Sequence, residues 1–230
     1  MRKSWKIGLI GIFAAVHVVL YLPPGPWRSW SVYLEPMEGI ILGPFAGFFA
    51  AFFGSSIARM IKPSADWMFG IVAEPVGVLV CGLLVTGRWK WAAAMWAIML
   101  TAYFVHPFGS MLPLWTIADI LVAFAIIYPV SKISKSVFET DVKRSSRALI
   151  LVSFVGTVAD SLTRVFLLVP AGLYLLFDLS YDALLYGLFI PGAIGSYIED
   201  IIVSVVSVSV GVPLLAALRK IPTLKYPLTQ

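Results

Sequence analysis

Apolar runs of about 17 to 25 residues recur along the chain, the length that crosses roughly 30 Å of hydrocarbon. One of them does not read as a plain crossing. The run VYLEPMEGIILGPFAGFFAAFFGSSIARMI, residues 32–61, carries Gly43-Pro44 near its middle. Proline disfavours helical geometry in the residue before it and removes a backbone donor. The run is therefore expected to split into a short helix over 33–42 and a second over 45–61. About ten helical residues rise only about 15 Å, half a bilayer. Such a segment must lie within protein or line a wet cavity, because lipid cannot satisfy its free ends. Short, Pro-interrupted segments also point to transporter binding sites. The competing reading is one long tilted helix with a proline kink.

The basic residues decide between the two. Without a split the chain makes seven crossings, over about 6–22, 36–61, 68–87, 90–106, 113–131, 148–168 and 187–218. Arg2, Lys3 and Lys6 suggest a cytoplasmic N-terminus. Arg88 and Lys90 in TGRWKWAAA would then face outward. So would the connector 132–147, with Lys132, Lys135, Lys143, Arg144 and Arg147, and the tail with Arg219, Lys220 and Lys225. That violates the positive-inside tendency. One extra crossing turns all of them to the cytoplasmic side and leaves Arg28, Arg59, Lys62 and Arg164 outside. The expected fold is an all-α integral membrane protein of about eight membrane segments with both termini cytoplasmic. It is expected to form a single membrane domain over 1–230, multi-pass in the cell (plasma) membrane.

Composition agrees with the class and excludes others. The chain is 60% hydrophobic and 13% charged, whereas soluble domains are about half apolar and about a quarter charged. The net charge of +5 is explained by orientation, so no nucleic-acid partner is expected. Cys81 is the lone cysteine, which excludes a disulfide framework. No Walker A sequence, Gly-rich nucleotide loop or metal-ligand motif is present, and no cofactor is expected. His17 and His106 are the two histidines, far apart, with no H-E-x-x-H. A membrane-embedded enzyme acting on a lipid would need a clustered catalytic set, so an enzyme is not expected. The start MRKSWK before an apolar stretch resembles a signal peptide, but PPGPWRSW follows without a small-x-small cleavage site. A retained first helix is expected.

Charged groups at membrane depth are costly and usually face a cavity or a partner. In the eight-segment arrangement Arg28, Glu35, Glu38, Arg59, Glu74 and Arg164 fall toward the outer ends of their helices and are expected to meet there. Trp27, Trp30, Tyr33 and Trp67 lie nearby. Aromatic faces stack on flat rings, and arginine forks onto carboxylate or phosphate. The substrate-binding set read from the sequence is therefore Trp27, Arg28, Trp30, Tyr33, Glu35, Glu38, Arg59, Glu74 and Arg164. Each residue also has a plainer role. Tryptophan and tyrosine gather at any membrane interface. Asp160 and Arg164, four apart on one helix, can simply pair. His17 suits a satisfied buried polar group, Asp119 a helix contact, and Glu199 and Asp200 structure as readily as substrate. FAAFFGSSIARMI, 49–61, echoes FVGTVADSLTRVF, 154–166, at a constant offset, with Phe, Ser and Arg coinciding. The stretch 167–189, broken by Pro170 and Gly172, reads as an outer loop that dips back as part of a lid.

The pattern resembles the substrate-binding S components of energy-coupling factor (ECF) vitamin transporters. IILGPFAGFFAAFFG looks like their junction between second and third helices. VAEPVGVLVCGLLVTGRWKW is similar to their fourth helix in the thiamin-binding branch. The resemblance implies a six-helix core over about 6–90 and 148–218, with the hairpin 91–131 inserted. It implies a small-molecule substrate, a membrane coupling subunit and two cytoplasmic ATPase subunits. It also implies a coupling face of small residues on the first helix, here Gly8, Gly11 and Ala15. The chain departs from the thiamin branch at Gly70, where an acidic residue is expected, and from the nickel and cobalt group at Arg2, where histidine is expected. The function expected is high-affinity uptake of a vitamin or related micronutrient. An ion-coupled transporter working alone, with Asp119, Asp160 or Asp200 as ion sites, is the alternative; a ligand-free assembly subunit is a further one.

Overall fold

Glycine 43 sets the architecture. Its φ of +86° lies in the left-handed region, which a residue with a Cβ rarely adopts, and Pro44 opens the next helix. In the computed structural model, which describes residues 3–64, 67–221 and 226–229, the run 32–61 is accordingly two helices, not one. The described chain is helical: α1 (Lys3–Tyr21), α2 (Trp30–Leu42), α3 (Pro44–Ile61), α4 (Trp67–Val85), α5 (Trp89–Val105), α6 (Pro107–Met111), α7 (Ala118–Ile133), α8 (Val142–Leu168), α9 (Leu173–Leu176), α10 (Ile190–Val206) and α11 (Val212–Arg219). The only pairing of strand type among the described residues is an isolated bridge between Pro24 and Ser29.

Among the described residues, six segments are long and apolar enough to cross a membrane: Ser4–Tyr21, Pro44–Ile61, Trp67–Val85, Leu114–Phe138, Val142–Leu168 and Ala183–Arg219. The chain is thus an all-α protein of multi-pass membrane type. Helices α2 and α5, with 13 and 17 residues, are shorter. At 13 residues α2 rises about 20 Å. It is buried from Ser31 to Leu42 except at Leu34, so a short segment with free ends is housed inside protein. Close approach makes this possible. A Cβ on Gly39 would stand 2.2 Å from the Val78 carbonyl oxygen of α4, so only glycine allows the two backbones to touch.

Helix α8 runs through the middle of the bundle, against α4, α7 and α10. It starts earlier than the sequence suggests, because Asp141 caps it by accepting the Lys143 N–H at 2.9 Å. A 3₁₀ segment, Ser134–Phe138, fills much of the expected 132–147 loop. The expected outer loop 167–189 is also shorter. Its last part is a π-helical stretch, Ala183–Phe189, leading directly into α10. The hairpin α5–α7 is tied together by Trp96, whose indole N–H donates to the Ile120 carbonyl at 3.2 Å.

Successive long helices alternate in direction, so the connections fall into two sets. At one end Ser134 donates to Leu84 O (2.7 Å), Leu228 N–H to Ile41 O (2.7 Å) and Arg219 to Val137 O (2.8 Å). This end carries Lys6, Arg88, Lys90, Lys132, Lys135, Lys143, Arg144, Arg147, Arg219 and Lys220. Arg2 and Lys225, expected there too, lie outside the described residues. At the other end Lys62 donates to Leu22 O (3.2 Å), Tyr181 to Met111 O (3.1 Å), and Phe69 stacks on Phe177 with centroids 6.4 Å apart. Arg28, Arg59, Lys62 and Arg164 are at this second end.

Candidate functional site

The three arginines of the second end converge on one carboxylate. Glu74, on α4, is fully buried. Arg59 from α3 bonds both of its oxygens, with Nη1 3.0 Å from Oε2 and Nη2 on Oε1. Ser55, one turn before Arg59, donates to Oε2 at 2.5 Å. His17 of α1 brings Nε2 to 3.6 Å from Oε2. Arg164 of α8 and Arg28 of the α1–α2 loop approach Oε1 at 3.6 and 3.8 Å. Gly70 makes room for this: a Cβ there would lie 1.8 Å from Arg59 Nη2. Arg59 also lies over the Tyr21 ring, 4.9 Å from its centroid. The two arginines matched in the sequence echo, Arg59 and Arg164, thus reach the same oxygen from different helices.

A second carboxylate pair extends the network. Asp160 accepts from Arg164 Nε at 2.8 Å and from Arg28 Nη1 at 3.2 Å, and Arg28 Nη1 reaches Glu199 Oε1 of α10 at 2.5 Å. The i,i+4 pairing of Asp160 with Arg164 is therefore real, but it is one link in a chain across α4, α8 and α10. Arg28 is held in place by its loop. The Tyr33 hydroxyl accepts the backbone N–H groups of Trp27 (2.8 Å) and Arg28 (2.7 Å), and Trp30 meets the Tyr33 ring edge-on at 5.7 Å. On the far side of Glu74, His17 Nδ1 pairs with Glu38 Oε1 at 3.0 Å. Burying charges is tolerable only when such partners are supplied.

Beside this network lies a cavity of about 680 Å³. Its walls come from α8, α10, the start of α7 and the 177–179 stretch. Phe69, Phe177, Phe189, Val165 and Leu168 make it largely apolar; Arg28, Arg164, Glu199, Asp119, Ser161 and Ser196 supply the polar groups. Asp119 accepts from Ser196 Oγ at 2.6 Å, and Ser196 lies 3.2 Å from Ser161. Of the residues read from the sequence, Trp27, Arg28 and Arg164 line the cavity. Glu35, Glu38, Arg59 and Glu74 belong to the ionic network next to it, and Trp30 and Tyr33 shape the loop that carries Arg28. Trp67 is half exposed at the start of α4. The phenylalanines and the serine pair were not singled out in the sequence. The π-helical entry to α10 places Phe189, and nothing in the local pattern announces it.

The first helix presents a different surface. Gly8, Gly11 and Ala15 are exposed, and a Cβ on Gly8 or Gly11 would have nothing within 4 Å. Ile7, Ile12, Val16 and Val19 are exposed on the same helix, which is 11% buried over Ser4–Tyr21. The small residues that turn inward are others: Ala14 is buried, and its carbonyl and His17 pack against Gly54.

Comparison with known proteins adds little to this geometry. No protein-family model matches the chain, and no solved structure matches it. A protein of Methanocaldococcus jannaschii described as uncharacterized is 26% identical over 131 residues, which cover 56% of this chain and 44% of that relative's length. The chain therefore spans under half of that relative.

Proposed function

We propose that the chain is the substrate-binding subunit of an ATP-driven transporter of the ECF type, taking up a small molecule such as a vitamin or related micronutrient. The observation that carries this reading is the cavity of about 680 Å³ walled by aromatic rings and edged by Arg28 and Arg164. Pockets of this size suit small molecules. Its lining favours a ligand with an apolar or aromatic body and one polar or anionic end. In this reading the basic end is cytoplasmic and the cavity opens outward. The 169–182 stretch is a lid, with Phe177 stacked on Phe69 across the cavity wall.

The chain carries no nucleotide-binding motif, so energy comes from a membrane coupling subunit and two cytoplasmic ATPase subunits. The open stripe of Gly8, Gly11 and Ala15 suits close backbone contact with the coupling subunit. The subunit catalyses no reaction in this reading. Native mass spectrometry of the protein purified from its membrane is expected to show a bound small molecule, lost in Arg164→Leu. Affinity purification is expected to bring down an ATP-hydrolysing module in wild type but not in Gly11→Leu. Protein that carries no ligand and no ATPase would reject the proposal.

One observation favours the ion-coupled alternative. Asp200 Oδ1 is buried with no hydrogen-bond partner among the described residues, as an ion-binding group would be. Uptake into vesicles without ATP, abolished by collapsing the ion gradient and by Asp200→Asn, would favour that reading over the first.

A further inference from the structure

The buried network is not balanced in charge. Glu74, Asp160 and Glu199 pair with the guanidinium groups of Arg28, Arg59 and Arg164, while Glu38 pairs with His17 and Glu35 lies beside His17 and Glu74, so the carboxylates of the network outnumber its fixed cations. Uncompensated charge is not stable at this depth. The excess is concentrated on the α1–α2 side, where three donors meet: His17, Glu35 and Glu74 each offer a ligand atom, and these atoms lie within 4.8 Å of one another. All three residues are buried. A separate observation points the same way. Glu35 is 4% exposed, and its Oε1 has no hydrogen-bond partner among the described residues. A buried carboxylate oxygen left bare is costly, more so when it is charged.

We propose that His17, Glu35 and Glu74 form a binding site for a divalent transition-metal cation, held inside the bundle and separate from the cavity. The histidine is set up for it. Its Nδ1 faces Glu38 Oε1 at 3.0 Å and its Nε2 points toward Glu74 Oε2 at 3.6 Å. Metal-bound histidines characteristically donate their other N–H to a carboxylate, which fixes the tautomer and raises ligand basicity. Glu38 takes that role here, and Arg59 and Ser55 orient Glu74. Metal–ligand bonds of about 2.0–2.2 Å put neighbouring donors some 3–4 Å apart, so a contraction of about an ångström closes the site. One imidazole and two carboxylates suit manganese, iron, cobalt, nickel or zinc, and are less suited to the oxygen-only preference of calcium. A dication brings the network to neutrality with His17 uncharged. None of the three ligands lines the cavity.

The test uses the full-length protein in detergent, stripped with chelator and titrated with cobalt(II). Visible d–d bands saturating at one equivalent per chain, displaced by zinc, are the expected result. Glu35→Gln and His17→Gln are each expected to weaken binding at least tenfold, and Glu38→Gln by about 10–100-fold, the usual effect of removing such a supporting carboxylate. Glu139→Gln, at the opposite end, is expected to bind like wild type. No cobalt spectrum in wild type would overturn the proposal and leave protons as the balancing charge. Undiminished binding in Glu35→Gln would overturn it equally. If the network variants do not fold, X-ray absorption of the cobalt-loaded wild type decides: an imidazole scatterer supports the site, and its absence rejects it.

Discussion

The two ends of the bundle use the same residue types for opposite purposes. At the basic end Arg144 is 70% exposed on its side chain and only grazes Glu139 and Asp141 at 3.6 Å. At the cavity end Arg59 is 5% exposed on its side chain and locked onto a carboxylate with no exposure at all. The first kind of arginine orients a chain in a bilayer and contributes little to its stability. The second is part of the core. Where lipid tails are as apolar as leucine, packing and buried polar links hold helices together more than hydrophobicity does. The lesson is that burial and partners, not the number of charges, separate a topological signal from a structural or functional one.

Substitutions at graded positions sharpen this contrast. The largest effect is expected for Glu74→Ala, which strands Arg59 and Ser55 inside the bundle. A loss of about 3–5 kcal/mol is the scale for breaking a buried ion pair, to be measured as reduced unfolding stability in detergent. Arg219→Ala should have an intermediate effect. Its guanidinium donates to Val137 O at 2.8 Å and to Ser145 Oγ at 3.2 Å, fastening the last helix to the start of α8. A loss of about 2 kcal/mol follows from charge-assisted hydrogen bonds to partly buried groups. Arg144→Ala is expected to change stability by less than about 1 kcal/mol. If Glu74→Ala and Arg144→Ala proved equally harmful, the distinction between the ends would fail.

The sequence made part of this legible. The helix break was readable because Gly43-Pro44 imposes a local backbone constraint, and the two-ended distribution of Lys and Arg followed from the break. The convergence of Arg28, Arg59, Glu74 and Arg164 was readable for the same reason, since alternating directions bring their positions to one end. What those groups touch was not. Whether Glu35 faces a cavity or His17 depends on helix rotation, and α2 is buried on nearly every side, so exposure does not set its face. The cavity wall was hidden for a further reason. Phe189 closes a π-helical stretch, whose altered register no 3.6-residue pattern reveals, and Phe177 sits in the turn after α9. The early start of α8 was hidden by its basic first turn, although the Asp141 cap was present to be read.

Uptake from the exterior requires the cavity end to face outward and the basic end to face the cytoplasm. Cysteine labelling in intact cells tests that directly, because the native Cys81 is buried and silent. Ser110→Cys, exposed at the cavity end, is expected to react with a membrane-impermeant maleimide. Lys135→Cys, exposed at the basic end, is expected to react only after the cells are permeabilised. Ready labelling of Lys135→Cys from outside, with Ser110→Cys protected, would contradict the orientation and with it the uptake of a substrate from the exterior.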